Sequence, residues 1–380
     1  MDWQLSDDHR MVVDMVKDFA ANELAPQAAE LDQTGRFPME SFVHMAELGL
    51  MGMNAPEEYG GSPMGTVALS LAITEVAKAC ASTAVTMAVT NMVAEQIDLW
   101  GTEAQKKAFI PQVVGGGQPI GAFCLTEPDA GSDAGAVATT AVLDGNQWVL
   151  NGTKTFISHG EYASVYIVWA RTGDLPRASG LTAFLIEGGT PGIKVTRQIK
   201  KMGQHGSNTV EMAFEDCRIP KDNVLGEVNG GFRIAMTGLD GGRINVASQA
   251  LGIGLAALEA SVEYAKVREQ FGKPLAKMQA IQWKIADMAT LLEAGRQLIL
   301  QAAWLKEQGK RHTRQAAMAK YFVTDRLQQI VREAVQIHGG YGYTKEYVVE
   351  RLMRDARITT IYEGTNEIQR IVIARELLAD

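Results

Sequence analysis

Histidine and cysteine are scarce in this chain of 380 residues, with six of the first and three of the second. Cys80, Cys124 and Cys217 are odd in number and far apart, with no CxxC pair and no histidine cluster beside them. They imply neither a zinc site nor a disulfide framework, and they fit a reducing compartment. No HExxH, GxSxG or phosphate-loop pattern occurs, so catalytic zinc and hydrolytic triads lose their usual signatures. No apolar run reaches the roughly eighteen residues of a membrane span. Blocks of basic charge are also missing: 36 Lys and Arg stand against 44 Asp and Glu, for a net charge of -8 spread along the chain. That distribution disfavours a nucleic-acid partner. The first residues, MDWQLSDDHR, are acidic and lack an apolar centre, unlike a secretory signal or a basic transit peptide. A cytoplasmic protein, or the mature form of an organellar one, is expected.

What the chain does have is a change of period. From Leu5 to about Gly117 apolar residues recur at helical spacing, as in Met11, Met15, Val16 and Phe19, with Ser6 as a helix cap. The run from Val67 to Trp100 is rich in Ala, Thr and Met and poor in charge, so a helix buried on most sides is expected there. Between about Pro119 and Gly230 the period becomes two, in Gln147 to Ile157, Val165 to Arg171, Leu181 to Ile186 and Thr209 to Phe214. Asp144-Gly145, Asn151-Gly152 and Pro191-Gly192 read as turns between antiparallel strands. After Gly230 the helical period returns in four stretches that suggest a bundle. The expected class is α+β, with an N-terminal α-helical domain (1–118), a middle antiparallel β-domain (119–230) and a C-terminal four-helix bundle (231–380).

Several short segments invite a chemical reading. Gly252 to Ala257 matches GxGxxA, but it lies inside a helical run with no strand before it, so small residues at a close helix contact explain it better than a dinucleotide. Cys124 to Gly135 reads CLTEPDAGSDAG, a tight loop whose backbone N–H groups suit an anion or a polar ring, or else a plain polar turn. Arg268 to Leu275 reads REQFGKPL, where a guanidinium suits phosphate or simply ends a helix. Glu363 sits in a glycine break, IYEGT, where apolar surroundings would raise its pKa towards neutrality. A lone glutamate is more often a surface charge or a cap. His159, His205 and His338 stand next to or near glycines and read as polar lining, not ligands.

Taken together, CLTEPDAGSD, NGTKTFIS, KMGQHGSNT, LDGGRINVASQALG, REQFGKPL, MQAIQ, QIHGGYGYTKEY and IYEGTNEIQR run in the order found in the acyl-CoA dehydrogenase family, and this resemblance covers nearly the whole chain. It implies a homotetramer with non-covalent FAD between the β-domain and the C-terminal bundle, an acyl-CoA substrate, and electron-transferring flavoprotein as partner. By motif, Phe123, Leu125, Thr126, Ser132, Phe156 and Ser158 would meet the flavin. Phe156 and Ser158 replace the commoner Trp and Thr. Arg268, Gln270 and Phe271 match positions that hold the FAD of a neighbouring subunit, and Gln279, Gln336 and Gly340 match further contacts at that end. Thr365 and Glu367 follow in the catalytic loop, Glu367 standing where some relatives have Gln.

The resemblance makes Glu363 the base that takes the α-proton. Its own backbone N–H, with a ribityl hydroxyl of FAD, would form the oxyanion hole. Gly242 of LDGGR occupies the position where isovaleryl and long-chain relatives carry their glutamate. Ser132, Asp240, Arg243, Tyr362 and Gly364 would contact the acyl-CoA. LDGGRINVASQALG is most similar to short- and branched-chain members, isobutyryl-CoA dehydrogenase among them, and an alicyclic acyl group meets the same requirement. The segment from Ala79 to Gln105 would wall the acyl pocket and contains no cation for a second carboxylate, against a glutaryl-type substrate. An oxidase passing electrons to oxygen and a non-catalytic acyl-CoA-binding module are the competing readings.

Overall fold

The computed structural model describes residues 5–379; Met1–Gln4, the start of the acidic segment read above, and Asp380, the end of the expected bundle domain, lie outside the described residues. Six helices come first: α1 (Asp7–Phe19), α2 (Ala28–Thr34), α3 (Met39–Glu47), α4 (Gly65–Ala79), α5 (Ala81–Trp100) and α6 (Glu103–Val114). Ser6 caps α1 as expected, its hydroxyl accepting from the His9 N–H at 3.2 Å. The apolar face is turned by one residue from the expected one. Val12, Val16 and Phe19 are buried, and Met11 is exposed. The long apolar run is two helices: Cys80 is extended (φ -150°, ψ 107°) and separates α4 from α5. No glycine or proline marks that break, so periodicity alone runs straight through it.

The middle region is a sheet in the order β6-β7-β3-β2-β4-β5-β8, with β1 beside β4. Its strands are β1 (Gly121–Cys124), β2 (Thr140–Asp144), β3 (Gln147–Ser158), β4 (Val165–Arg171), β5 (Leu181–Glu187), β6 (Ile193–Gln198), β7 (Thr209–Pro220) and β8 (Val224–Leu225). The antiparallel expectation holds for the hairpins and for most pairs. It fails at β4, which runs parallel to all of β1 and meets β2 in parallel at Thr140 and Arg171. β1 enters from the helical region and reaches β4 only after β2 and β3, a crossover that no short turn dictates. Asn151-Gly152 is likewise no turn between strands. It is a bulge inside β3, with Gly152 at φ +154°, and the Asn151 side chain accepts from the Asp216 N–H at 2.8 Å. A Cβ on Gly152 would lie 2.4 Å from Thr139 Oγ1.

The loop after β1 is braced from below. Lys154 on β3 is fully buried, and its ammonium donates to Glu127 Oε1 at 2.7 Å and to the Leu125 carbonyl at 3.2 Å. Glu127 in turn accepts from the backbone N–H groups of Ala138 and Thr139 at 2.6 and 3.0 Å. Burial drives the Glu127 carboxyl upward, but the Lys154 charge and these donors outweigh it, so the pKa lies below the usual range.

The C-terminal region contains α7 (Gly231–Val267), a two-stranded ribbon of β9 (Glu269–Gln270) and β10 (Lys273–Pro274), then α8 (Gln279–Glu307), α9 (Thr313–His338), α10 (Val349–Ala356) and α11 (Asn366–Leu378). The fourth stretch of the expected bundle is thus two shorter helices, both packed on α9. The helical GxGxxA lies within α7, where a Cβ on Gly252 would fall 2.3 Å from the Thr74 carbonyl oxygen of α4 and one on Gly254 would fall 2.5 Å from Leu292 of α8. The three regions meet at one polar junction. Arg354 forks onto Asp32 at 2.8 and 2.6 Å, His205 pairs with Asp32 at 3.0 Å, and the Gln204 N–H donates to Asp355. Burial pushes the Asp355 carboxyl up to about 6.

Two expected outcomes follow from this packing. Gly252→Ala forces α4 and α7 apart and lowers stability by about 1–3 kcal/mol, read as a shift in the urea midpoint. Lys154→Met strands the Glu127 charge in the sheet and costs about 3–5 kcal/mol, whereas the paired Lys154→Met/Glu127→Leu change recovers most of that loss.

Candidate active site

Glu363 lies between α10 and α11. After Ala356 a single turn, Arg357–Thr360, leads into Ile361-Tyr362, and Thr365 then caps α11 by accepting from the Ile368 N–H at 3.4 Å. Between them Glu363 and Gly364 are both left-handed, at φ +54° and +84°. For a residue with a Cβ that conformation costs about 1–2 kcal/mol, so neighbouring groups must hold it. The Gln369 side chain donates to both carbonyls, at 3.1 Å to Glu363 and 2.8 Å to Gly364, and the Lys320 ammonium donates to Gly364 at 2.9 Å. The turn aims the Glu363 side chain at α7. There its Oε2 would lie 2.7 Å from a Cβ on Gly242, a space that only glycine leaves open. Oε2 is buried with no hydrogen-bond partner among the described residues. Burial raises the Glu363 pKa to about 7, against the opposing charges of Arg243 and Lys320. Among the described residues nothing accepts the Glu363 N–H.

The carboxylate faces a cavity of about 630 Å³ between α5, α7, α11 and the sheet. One end is apolar, walled by Val85, Ala88, Val89 and Met92 of α5 and by Val246 of α7. The Tyr362 hydroxyl bonds Gln249 Oε1, and the Gln249 amide donates to the Ala81 carbonyl at 2.8 Å, so this end has a tied-down floor. Burial holds the Tyr362 phenol far above its ordinary pKa and therefore neutral. Asp240 and Arg243 pair at 2.5 Å on the α7 wall, and the Thr313 hydroxyl donates to Asp240 at 2.6 Å.

The other end is lined by Leu125, Thr126 and Ser132 of the loop after β1 and by Phe156 and Ser158 of β3. Phe156 sits at a bulge in β3, left-handed at φ +56°, with 65% of its surface exposed. A large aromatic face turned outward next to hydroxyls and loop N–H groups suits a planar polar ring, so these residues fit a flavin. FAD supplies that ring in the acyl-CoA dehydrogenase family.

Phe123, half-buried and tilted at 46° against Trp169 with ring centroids 4.2 Å apart, also reaches the cavity, as do Asp240, Arg243, Tyr362 and Gly364. The remaining candidates lie elsewhere. Gln270 and Phe271 belong to the exposed β9–β10 ribbon, with Phe271 94% exposed, and Arg268, half-buried at the end of α7 just before it, lies 5.4 Å from the Tyr341 ring. Gln279 opens α8, and Gln336 and Gly340 flank the end of α9, all exposed. Thr365 is a helix cap. Glu367 points to solvent, its carboxyl lowered by a backbone hydrogen bond at the start of α11 and by the Thr365 hydroxyl. A single chain therefore does not bring these residues to the cavity.

Of the three histidines singled out, His159, His205 and His338, none lines the cavity. His159 is fully buried, hydrogen-bonded to Thr86 at 2.9 Å, and burial lowers its pKa to about 3. His338 stacks on Tyr264 at 4.2 Å. Among the described residues no group of three or more His, Cys, Asp or Glu side chains is placed to hold a metal ion, and no helix is long and apolar enough to cross a membrane.

Sequence reasoning missed Lys320, Gln369, Gln249 and the Lys154–Glu127 pair. One signal for Lys320 was present. It stands in register with Ala316, Val323 and Leu327, a charge on the apolar stripe of α9. Gln249 and Gln369 carried no comparable mark.

Three family models match the chain: the acyl-CoA dehydrogenase N-terminal domain over residues 6–117, the middle domain over 122–217 and the C-terminal domain over 229–378. The short-chain specific acyl-CoA dehydrogenase of Bos taurus mitochondria is 48% identical over 376 residues, 99% of this chain and 91% of that protein. Butyryl-CoA dehydrogenase from Megasphaera elsdenii superposes with a TM-score of 0.97 at 46% identity, over 100% of both chains. A chain from structural work on the electron transferring flavoprotein of Acidaminococcus fermentans, directed at a mechanism of flavin-based electron bifurcation, gives 0.98 at 46%, also over 100% of both. Full-length agreement in all three regions, together with the Glu363 cavity, shows that the chain belongs to the acyl-CoA dehydrogenase family.

Proposed function

We propose that the protein removes the α-proton and β-hydride of a short-chain, α-branched or alicyclic acyl-CoA to give the 2-enoyl-CoA, with electrons leaving to an electron-transferring flavoprotein. The observation that carries this reading is the Glu363 carboxylate, facing the cavity with its Oε2 buried and unpartnered among the described residues. Such a carboxylate has lost the solvation that would make it a weak base, which is what abstraction beside a thioester needs. The free Glu363 N–H is placed on the same turn and would donate to the thioester oxygen as negative charge develops there. Bound FAD supplies the acceptor for the hydride.

On this reading the base is Glu363, and Asp240, Arg243, Tyr362, Ser132 and Gly364 line the substrate's path. The flavin would lie on Phe123, Leu125, Thr126, Phe156 and Ser158. The floor made by Tyr362 and Gln249 supports a short acyl group, as do the names of the short-chain and butyryl relatives. The α5 wall presents apolar side chains and no cation, which disfavours a second carboxylate. Arg268, Gln270, Phe271, Gln279, Gln336 and Gly340, with Thr365 and Glu367, would serve FAD across a subunit contact in a homotetramer. Exposed Val267, Phe271 and Tyr343 around the β9–β10 ribbon support such a contact. The likeness to a chain from work on an electron transferring flavoprotein supports that partner. All three cysteines are free and buried, which fits a cytoplasmic setting.

The test mixes FAD-loaded protein anaerobically with butyryl-, isobutyryl-, 2-methylbutyryl-, cyclohexanecarboxyl- and octanoyl-CoA and follows flavin bleaching. Rapid bleaching by the short, branched or alicyclic thioesters and slow bleaching by octanoyl-CoA are expected; the reverse order overturns the substrate class. Glu363→Gln is expected to slow bleaching about 10²–10⁴-fold while retaining flavin. Peroxide formed at full rate without an acceptor would instead make it an oxidase. Because the base works only when ionised, kcat/KM is expected to rise with pH through about 7 and to level off above it.

A further inference from the structure

Lys320 is a buried cation without an ion-pair partner among the described residues. Its side chain is fully enclosed on α9, and its ammonium donates to the Gly364 carbonyl at 2.9 Å and to Asn366 Oδ1 at 3.0 Å. Asn366 Oδ1 also accepts from the Thr324 hydroxyl at 3.0 Å. Both acceptors are neutral, and both flank the catalytic turn. Taking a lone ammonium out of water costs several kcal/mol, and neutral donors would satisfy the same two oxygens more cheaply. A role confined to holding α9 against α11 therefore does not account for the charge.

The charged groups around the turn show where the charge acts. Glu363 faces Arg243 from α7 and Lys320 from α9. Arg243 is already matched, since Asp240 lies against it at 2.5 Å. Lys320 faces Glu363, the like charge of Arg243, and the more distant, solvent-exposed Glu367 of α11. Tyr362 is held neutral, and Gly364 and Thr365 carry no charge. Of the two cations that face the base, Lys320 is thus the one without an ion pair among the described residues, and it does not line the cavity, so it offers its field without occupying the substrate's place. Burial brings its own pKa down to about 7, with Glu363 pulling it back up.

Given Glu363 as the base, we infer that Lys320 is its positioning residue: it pins the left-handed Glu363-Gly364 turn through the Gly364 carbonyl, and its charge stabilises the anionic form of the Glu363 carboxylate. The chemistry is electrostatic and involves no bond to substrate.

The test uses the full-length FAD-loaded protein and two variants. Lys320→Met removes the charge at similar volume, and Asn366→Asp keeps the ammonium but neutralises its field with a new carboxylate. In both, the acidic limb of the kcat profile is expected to move up by about one to two pH units. Activity would fall about tenfold at neutral pH and largely return at alkaline pH, with KM little changed. Independently of turnover, the carboxyl stretch assigned to Glu363 by infrared difference against Glu363→Gln is expected to titrate at correspondingly higher pH. If Lys320→Met does not fold, Asn366→Asp decides. A limb and a carboxyl titration that stay in place in a folded, flavin-containing variant overturn the inference. Turnover retained by Glu363→Gln would instead overturn the assignment of the base itself, so the two failures are distinct.

Discussion

The contact of the Glu363 carboxylate with the bare Cα of Gly242 is the constraint around which the site is arranged. A side chain on Gly242 would occupy the carboxylate's place, and the carboxylate reaches that place from a left-handed Glu363 at φ +54°. Both conditions are backbone conditions. Each is met by residues distant in sequence: α7 brings Gly242, and Lys320 of α9 and Gln369 of α11 hold the turn. The base is therefore only as well placed as the packing of three helices.

That packing is rigid where it needs to be. α4, α7 and α8 approach so closely at Gly252 and Gly254 that a single methyl has no room. At the junction of the three regions, Arg354, Asp32, His205, Gln204 and Asp355 form a connected polar cluster. Gln204 is bonded to Asp355 by both its backbone N–H and its side-chain amide, and it also bears on the Tyr362 phenol, lowering its pKa against burial. The floor of the acyl cavity is thus tied to the domain junction, so the depth of the cavity and the relation of the domains are set together.

Charge is treated differently on the two sides of the cavity. Beneath the flavin-side loop, Lys154 and Glu127 are both buried and paired, and the pair organises four backbone or side-chain hydrogen bonds with its two charges balanced. Beneath the catalytic turn, Lys320 is buried and has no ion-pair partner among the described residues, and its charge opposes the rise in the Glu363 pKa. A neutralised pair suits a loop that must keep its shape. An unmatched cation suits a carboxylate that must be available as an anion in a site of low polarity.

The order helix, sheet, helix was legible from the sequence because a change of hydrophobic period is a local property: residues i and i+2, or i and i+3, share a face whatever lies opposite. Glu363 was legible only through eight motifs in order, since one carboxylate beside one glycine is common. The break at Cys80, the parallel placement of β1 against β4, the bulge at Asn151-Gly152 and the division of the last helical stretch were decided by tertiary structure. Each depends on what packs across from the chain. The same holds for Lys320, Gln249 and Gln369. Their types and positions stand in the sequence, but a lysine becomes a buried cation, and a glutamine a brace, only when helices more than a hundred residues apart, or joined through a left-handed turn, meet around one carboxylate.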